Sequence, residues 1–258
     1  MTNDIDEAID WQGRDVACAR CPHVALRGAG KCQLQYACVQ DRYARRIDRF
    51  FLWNKQLADQ YLSDPYFEVR AVAAKYANVF RLTSLLDDAD ATVRWSAAAR
   101  LPARQLRILR NDPDREVRIR VARRLAASDL LLMLHDPDYY VRQVIAERIP
   151  IAMLPLLMRD GDPEVRRVVA SRIGSEWLMP LVTDEDPRVR LEAVRRLPDV
   201  QLPWLIADPD WRVRYEIAGR IDSAHLSELV NDDDALVRER VRQRLDGNDV
   251  NDDLRSGG

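Results

Sequence analysis

The sequence predicts an all-α repeat solenoid, on three observations. The dipeptide Val-Arg returns eight times at a spacing of 24 residues, from Val69-Arg70 through Val141-Arg142 to Val237-Arg238. An aspartate stands five positions before each of these valines: Asp64, Asp88, Asp112, Asp136, Asp160, Asp184, Asp208 and Asp232. Apolar residues recur at 0, +4 and +8 from the valine, as in Val117, Val121 and Leu125 or Val165, Val169 and Ile173. That is the stripe of an amphipathic helix, not the alternation of a strand. A unit this short buries its apolar face only by stacking on copies of itself, so the period predicts a continuous array. It covers residues 64–245.

Each repeat is read as one proper helix and one short element. Aspartate at -3 (Asp90, Asp114, Asp138, Asp162, Asp186, Asp210) is placed to cap the helix, and Pro163 and Pro187 then fall at the first helical position, where a missing N–H costs nothing. The helix is expected from about -2 to +8. A mostly Ala position at +5 lets the neighbouring helix approach, and Pro102, Pro150 and Pro198 stop the run. The second element places Leu at +13 and mostly Leu at +16, and it tolerates Pro155, Pro180 and Pro203. Apolar residues at i and i+3 with proline inside suit a 3₁₀ turn better than an α-helix.

Two arginine positions recur. The arginine at +1 falls inside the apolar arc of its helix, so its guanidinium needs a partner, and the aspartate at -5 is the expected one. This pair is read as structural, fixing the register of neighbouring copies. The arginine at +7, present in seven of eight copies with Tyr76 as the exception, lies at the edge of the stripe. It is either a solvated rim or the lining of a groove, which makes Arg148, Arg172 and Arg196 the candidate partner-binding residues. In the last copy Arg242 replaces the small residue at +5, so this copy is expected to act as a cap, and the polar residues 246–258 are expected to be a disordered tail.

Residues 1–63 precede the array and hold all four cysteines, Cys18, Cys21, Cys32 and Cys38, in the order C-x2-C-x10-C-x5-C. Four soft thiolates suit zinc or an iron-sulfur cluster, and the spacing alone leaves both open. Nine basic residues between Arg14 and Lys55 face Asp15, Asp41 and Asp48, a balance that would stabilise an anionic thiolate centre. The alternative is that Arg42, Arg45, Arg46 and Arg49 form a solvated helix face.

Composition narrows the function classes. The 40 basic and 42 acidic residues give a net charge of -2, and the array carries 30 of each. Binding to nucleic acid through bulk positive charge is therefore disfavoured, and a protein partner is expected on the surface of the array. The first residues, MTNDIDEAIDWQGRD, are acidic and carry no secretory signal, and no stretch approaches the ~18 apolar residues of a membrane span, so a cytoplasmic protein is expected. His23, His135 and His225 are the only histidines and no nucleophile-base pairing is evident, so an enzyme is not expected.

The pattern LxxLLxDPDxxVRxxVAxRL at a 24-residue period resembles the leucine-rich repeat variant family. HEAT-type repeats share the Asp-Pro-Asp-x-x-Val-Arg signature but use longer units, and ordinary leucine-rich repeats need a strand motif that is missing here. The resemblance implies α and 3₁₀ helices alternating in a right-handed superhelix. The segment CARCPHVALRGAGKCQLQYAC is similar to the N-terminal module of that family, which implies a 4Fe-4S cluster ligated by Cys18, Cys21, Cys32 and Cys38. The expected function is an iron-sulfur scaffold for protein binding whose cluster transfers electrons or senses redox state, with a link to nitrogen fixation implied by the resemblance. The alternative is a protein- or nucleic-acid-binding solenoid with a purely structural cluster or zinc.

Overall fold

The computed structural model describes residues 7–253, with side chains described to residue 247. The chain forms two compact units, with the boundary between Asp129 and Leu130. The first unit opens with a 3₁₀ turn (Cys18–Arg20), α1 (Val24–Gly28), α2 (Ala44–Trp53) and a 3₁₀ element (Lys55–Tyr61). The repeats then begin with α3 (Phe67–Tyr76), α4 (Ala91–Ala98) and α5 (Arg115–Ala122), separated by 3₁₀ segments at Val79–Asp87 and Ala103–Asn111. The one-turn α6 (Ala127–Leu130) lies at the boundary. In the second unit α7 (Tyr139–Arg148), α8 (Pro163–Arg172), α9 (Pro187–Arg196) and α10 (Trp211–Ala218) alternate with 3₁₀ turns such as Ile151–Leu157 and Asp199–Leu205, before α11 (Ser223–Leu226) and α12 (Ala235–Asp253). Among the described residues there is no sheet, and the two isolated bridges, Ile9 with Asp15 and Gln33 with Ala37, both lie before the array.

The fold is the expected alternation of α and 3₁₀ elements. Each repeat helix starts at -2, because the carboxylate at -3 accepts the N–H groups left open by the first turn: Asp90 takes that of Thr92 at 2.7 Å and Asp162 that of Glu164 at 2.8 Å. The first copy has Tyr66 at this position and no side-chain cap. The stripe at 0, +4 and +8 is fully buried in Val117, Val121 and Leu125 and in Val165, Val169 and Ile173. Helices α3 to α5 and α7 to α10 end at +5 or +7, one to three residues short of the sequence expectation, while the +8 side chain still packs inside. Two copies depart from a purely 3₁₀ second element, since α6 and α11 close one α turn before the 3₁₀ bonding sets in. The lack of an internal proline permits these α turns without requiring them, since Val79–Asp87 and Ala103–Asn111 also lack one and stay 3₁₀.

The recurring arginines explain the register. Within each unit the arginine at +1 reaches the aspartate at -5 of the following copy in a bidentate rung: Arg94 donates to Asp112 at 2.7 Å twice, Arg142 to Asp160 at 2.7 and 2.8 Å, and Arg166 to Asp184 at 2.7 and 2.9 Å. The same guanidinium donates back to the carbonyl of its own copy's aspartate, as Arg94 does to Asp88 at 2.8 Å. The aspartate in turn accepts the N–H at -3, as Asp88 does from Asp90 at 2.9 Å. One carboxylate thus holds its own turn and the preceding helix together.

At Arg100, Arg172 and Arg196 the arginine at +7 is not the open rim or groove lining that the sequence left available. It caps the preceding helix: Arg100 donates to the carbonyls of Ala74 and Ala77, Arg172 to those of Ala146 and Ile149, and Arg196 to that of Ala170 at 2.6 Å. These are the carbonyls a helix C-terminus leaves without an internal partner. Arg172 and Arg196 are half-buried by this role, while Arg148 is exposed. At the other end α12 runs on to Asp253, so residues 246–253 are helical where a disordered tail was expected. Residues 254–258 of that expected tail lie outside the described residues.

The rungs make stability depend on pH. Burial alone would raise the carboxyls of Asp88 and Asp160, but Arg70, Arg142 and the N–H groups of Asp90 and Asp162 outweigh it and hold both below the ordinary carboxylate range. At Asp232 the Arg214 hydrogen bonds are the larger effect and also lower it. Such a carboxyl binds fewer protons folded than unfolded, so its contribution is complete above the unfolded value of about 3.9 and is lost as pH falls through the depressed folded value. The urea midpoint should be flat from about pH 7 to 5 and fall steeply below about 4. Asp160→Asn should shrink that fall, and a midpoint unchanged at low pH would contradict the ladder.

Candidate metal centre

The N-terminal module brings the four cysteines together through short, tightly turned elements. Cys18 opens a single 3₁₀ turn whose C-cap is Cys21, with the Cys21 N–H on the Cys18 carbonyl at 3.2 Å. Pro22 follows and α1 leads away from the site. The chain returns through Gly30, at φ +68, where a side chain would be strained. Between Cys32 and Cys38 the backbone folds on itself, with Gln33 and Ala37 exchanging N–H···O bonds at 2.9 and 2.8 Å around Gln35, at φ +61.

All four cysteines are free thiols; Cys38 is buried and the others are half-buried. Cys32 and Cys38 are in hydrogen-bond contact, and Cys32 lies within the electrostatic reach of both Cys21 and Cys18. Burial raises the Cys32 thiol and the neighbouring sulfurs add to this, while Cys38 and Arg27 oppose it. Burial pushes Cys38 up to about 12 against the opposing N–H of Gln40. The His23 N–H donates to Cys21 Sγ at 3.4 Å. Among the described residues no group of three or more His, Cys, Asp or Glu side chains is already set as a metal-ion shell. The thiols are gathered but not closed on one point.

Beneath them lies an aromatic floor. The His23 ring hydrogen-bonds the Tyr61 hydroxyl and packs at 5.5 Å from Phe50, which meets Phe51 edge-on at 5.4 Å. Burial raises the Tyr61 phenol well above its usual range, and Cys21, Asp64, Cys38 and Cys32 add to the effect. Asn54, fully buried at the end of α2, donates from Nδ2 to the Lys31 and Phe50 carbonyls, each at 2.8 Å, and so ties the segment leading into Cys32 to α2. Since α2 packs on α3, the site is fastened to the first repeat.

A family model described as the LRV protein FeS4 cluster matches residues 8–60. A solved structure described as a leucine-rich repeat variant with a novel repetitive structural motif superposes with a TM-score of 0.86 at 42% identity, covering 89% of this chain and 98% of that one. The chain belongs to the leucine-rich repeat variant family. An uncharacterized 27.7 kDa protein in the nifB 3' region of Rhodobacter capsulatus is 50% identical over 97 residues, which is 38% of this chain and 40% of that protein. The match therefore spans less than half the length of this curated relative.

In this leucine-rich repeat variant, residues 8–60 are the iron-sulfur domain, and the site's own chemistry fits that group. Four thiols and no disulfide supply soft ligands, N–H groups already point at Cys21 and Cys38, and an apolar floor excludes water from one side. The cysteine spacing marks the four sulfurs but not their support. His23 stands out only as one of three histidines, and Tyr61, Phe50 and Asn54 carry no local signal, because they reach the site through the fold of α2 and the segment after it. The arginines of α2 follow neither reading as a group. Arg46 is buried, donating to Asp41 at 2.9 Å and to the Glu7 carbonyl at 2.8 Å; Arg49 stacks on Tyr36 at 4.1 Å; Arg45 is exposed. Arg27 is the cation whose field reaches Cys32.

Proposed function

We propose that the protein is a non-catalytic scaffold that holds a 4Fe-4S cluster on Cys18, Cys21, Cys32 and Cys38 and presents it to a protein partner docked on the repeat array. The observation that carries this reading is the convergence of four unpaired thiols from the chain itself, enough to complete the ligation without a position for substrate. When bound, such a cluster supplies one-electron transfer. The residues do the rest. His23 and Gln40 donate N–H bonds to Cys21 and Cys38 and so favour the more reduced, more negative state; Tyr61, Phe50 and Phe51 exclude water; Arg27 adds positive charge near Cys32. The relative in a nifB 3' region supports a setting close to nitrogen fixation. No helix among the described residues is long and apolar enough to cross a membrane, which is compatible with work in the cytoplasm.

An anaerobic redox titration followed by electron paramagnetic resonance tests the electron-transfer role. A reversible one-electron couple is expected. A cluster that cannot be cycled without being destroyed would leave it a structural staple.

A further inference from the structure

The second unit carries an apolar edge that the cluster site does not use. Positions +13 and +16 turn inward, buried at Leu130 and Met133, Leu154 and Leu157, Leu178 and Leu181 and at Leu202, and +15 faces outward from the same turn. Four successive copies place Leu132, Leu156, Pro180 and Trp204 there, all exposed, with Leu156 at 62% and Trp204 at 83%. Single exposed apolar side chains need no explanation, but a row that repeats with the period of the fold does.

Between these turns open three shallow clefts of about 430, 520 and 340 Å³. Leu156 walls the first, Pro180 the second and Trp204 the third, and each contains one Arg/Asp rung: Arg142 with Asp160, Arg166 with Asp184, Arg190 with Asp208. Those guanidinia are already neutralised. Arg159 is not: it lines both the first and second clefts, is exposed, and makes no ion pair among the described residues.

We propose that this edge binds an extended segment of a partner protein with an apolar side chain at every third residue and an acidic residue between two of them, facing Arg159. Equivalent points on neighbouring repeats stand about one helix-packing distance apart, ~8–10 Å. A polyproline II chain advances about 3.1 Å per residue and returns the same face every third residue, so it sets one apolar side chain in each cleft. The unpaired guanidinium shared by two clefts selects the acidic residue between the anchors. This inference rests on the scaffold reading above and specifies which edge docks.

The test is fluorescence anisotropy on the full chain with its cluster retained. The probe is a labelled peptide with leucine at every third position, prolines between, and one aspartate between two leucines. Two controls carry the same leucines at every second position or at every seventh position of a helical peptide. Micromolar binding of the first peptide is expected, with both controls at least about tenfold weaker. Trp204→Ser and Gly161→Phe should each weaken it about tenfold. Both should fold normally, since Trp204 is exposed and nothing lies within 4 Å of a Cβ built at Gly161, which lines the first two clefts. Arg159→Glu should weaken the aspartate peptide but not its asparagine counterpart. Equal binding of the controls, or affinity untouched by the variants, overturns the proposal. A dimer abolished by Trp204→Ser, with no peptide bound, would also overturn it and mark the edge as a self-association surface. A natural partner whose capture survives Trp204→Ser and Gly161→Phe would overturn this surface while leaving the scaffold reading standing.

Discussion

Arg166→Ala should lower the unfolding free energy by about 3–5 kcal/mol, the usual cost of removing one partner from a desolvated pair. Both side chains of this rung, Arg166 and Asp184, are only 8% exposed, so the substitution strands a carboxylate inside the array and also removes the bond to the Asp160 carbonyl. Arg159→Ala, at an exposed position without a rung, should cost under about 1 kcal/mol. Arg172→Ala should fall between them at roughly 1.5–3 kcal/mol, because its guanidinium satisfies two carbonyls but pairs with no buried carboxylate. Urea unfolding followed by circular dichroism ranks the three. Replacing the whole rung, Arg166→Met with Asp184→Leu, should recover most of the loss, since apolar side chains leave no charge stranded. A double variant as unstable as Arg166→Ala would mean that the rung contributes by something other than mutual satisfaction.

Cys32→Ser should abolish cluster retention and loosen the N-terminal module while leaving the second unit folded. A hydroxyl is a poor substitute for a soft thiolate, and ligation energy in such a site is also folding energy. Without ligation, burial and mutual repulsion favour neutral thiols at Cys32 and Cys38, so the metal-free module holds its four sulfurs together with little stabilisation of its own. Hydrogen exchange should show protection lost around residues 18–61 and kept in α8 and α9. Asn54→Ala should give a weaker version of the same effect, with iron bound but lost faster to a chelator, because the Lys31 carbonyl is no longer tied to α2. Unchanged chelation kinetics for that variant would remove Asn54 from the support of the site.

The array was legible because its rules are local and repeated. An aspartate at -3 caps the helix that follows it, a stripe at 0, +4 and +8 turns inward, and a proline inside a seven-residue segment excludes an α-helix, so the copies that carry each signal repeat the same answer. The pairing of Arg142 with an aspartate was also foreseeable from its place in the apolar arc, though not that the aspartate belongs to the next copy. What the sequence concealed is set by the geometry between copies. Arg172 sits at the edge of its own helix by helical wheel, and only stacking brings it to the open carbonyls of α7. The same limit applies at the metal centre. The spacing of Cys18, Cys21, Cys32 and Cys38 names the ligands, whereas Tyr61 and Asn54, 23 and 16 residues beyond Cys38, reach them only through the packing of α2 and its continuation.

The most direct test of the central claim is the iron, acid-labile sulfide and zinc content of the full chain purified anaerobically. The account predicts about four iron and four sulfide per chain, with both lost in Cys32→Ser. One tightly bound zinc per chain with no sulfide would contradict it, leaving the repeat ladder intact but making the four cysteines a structural zinc site.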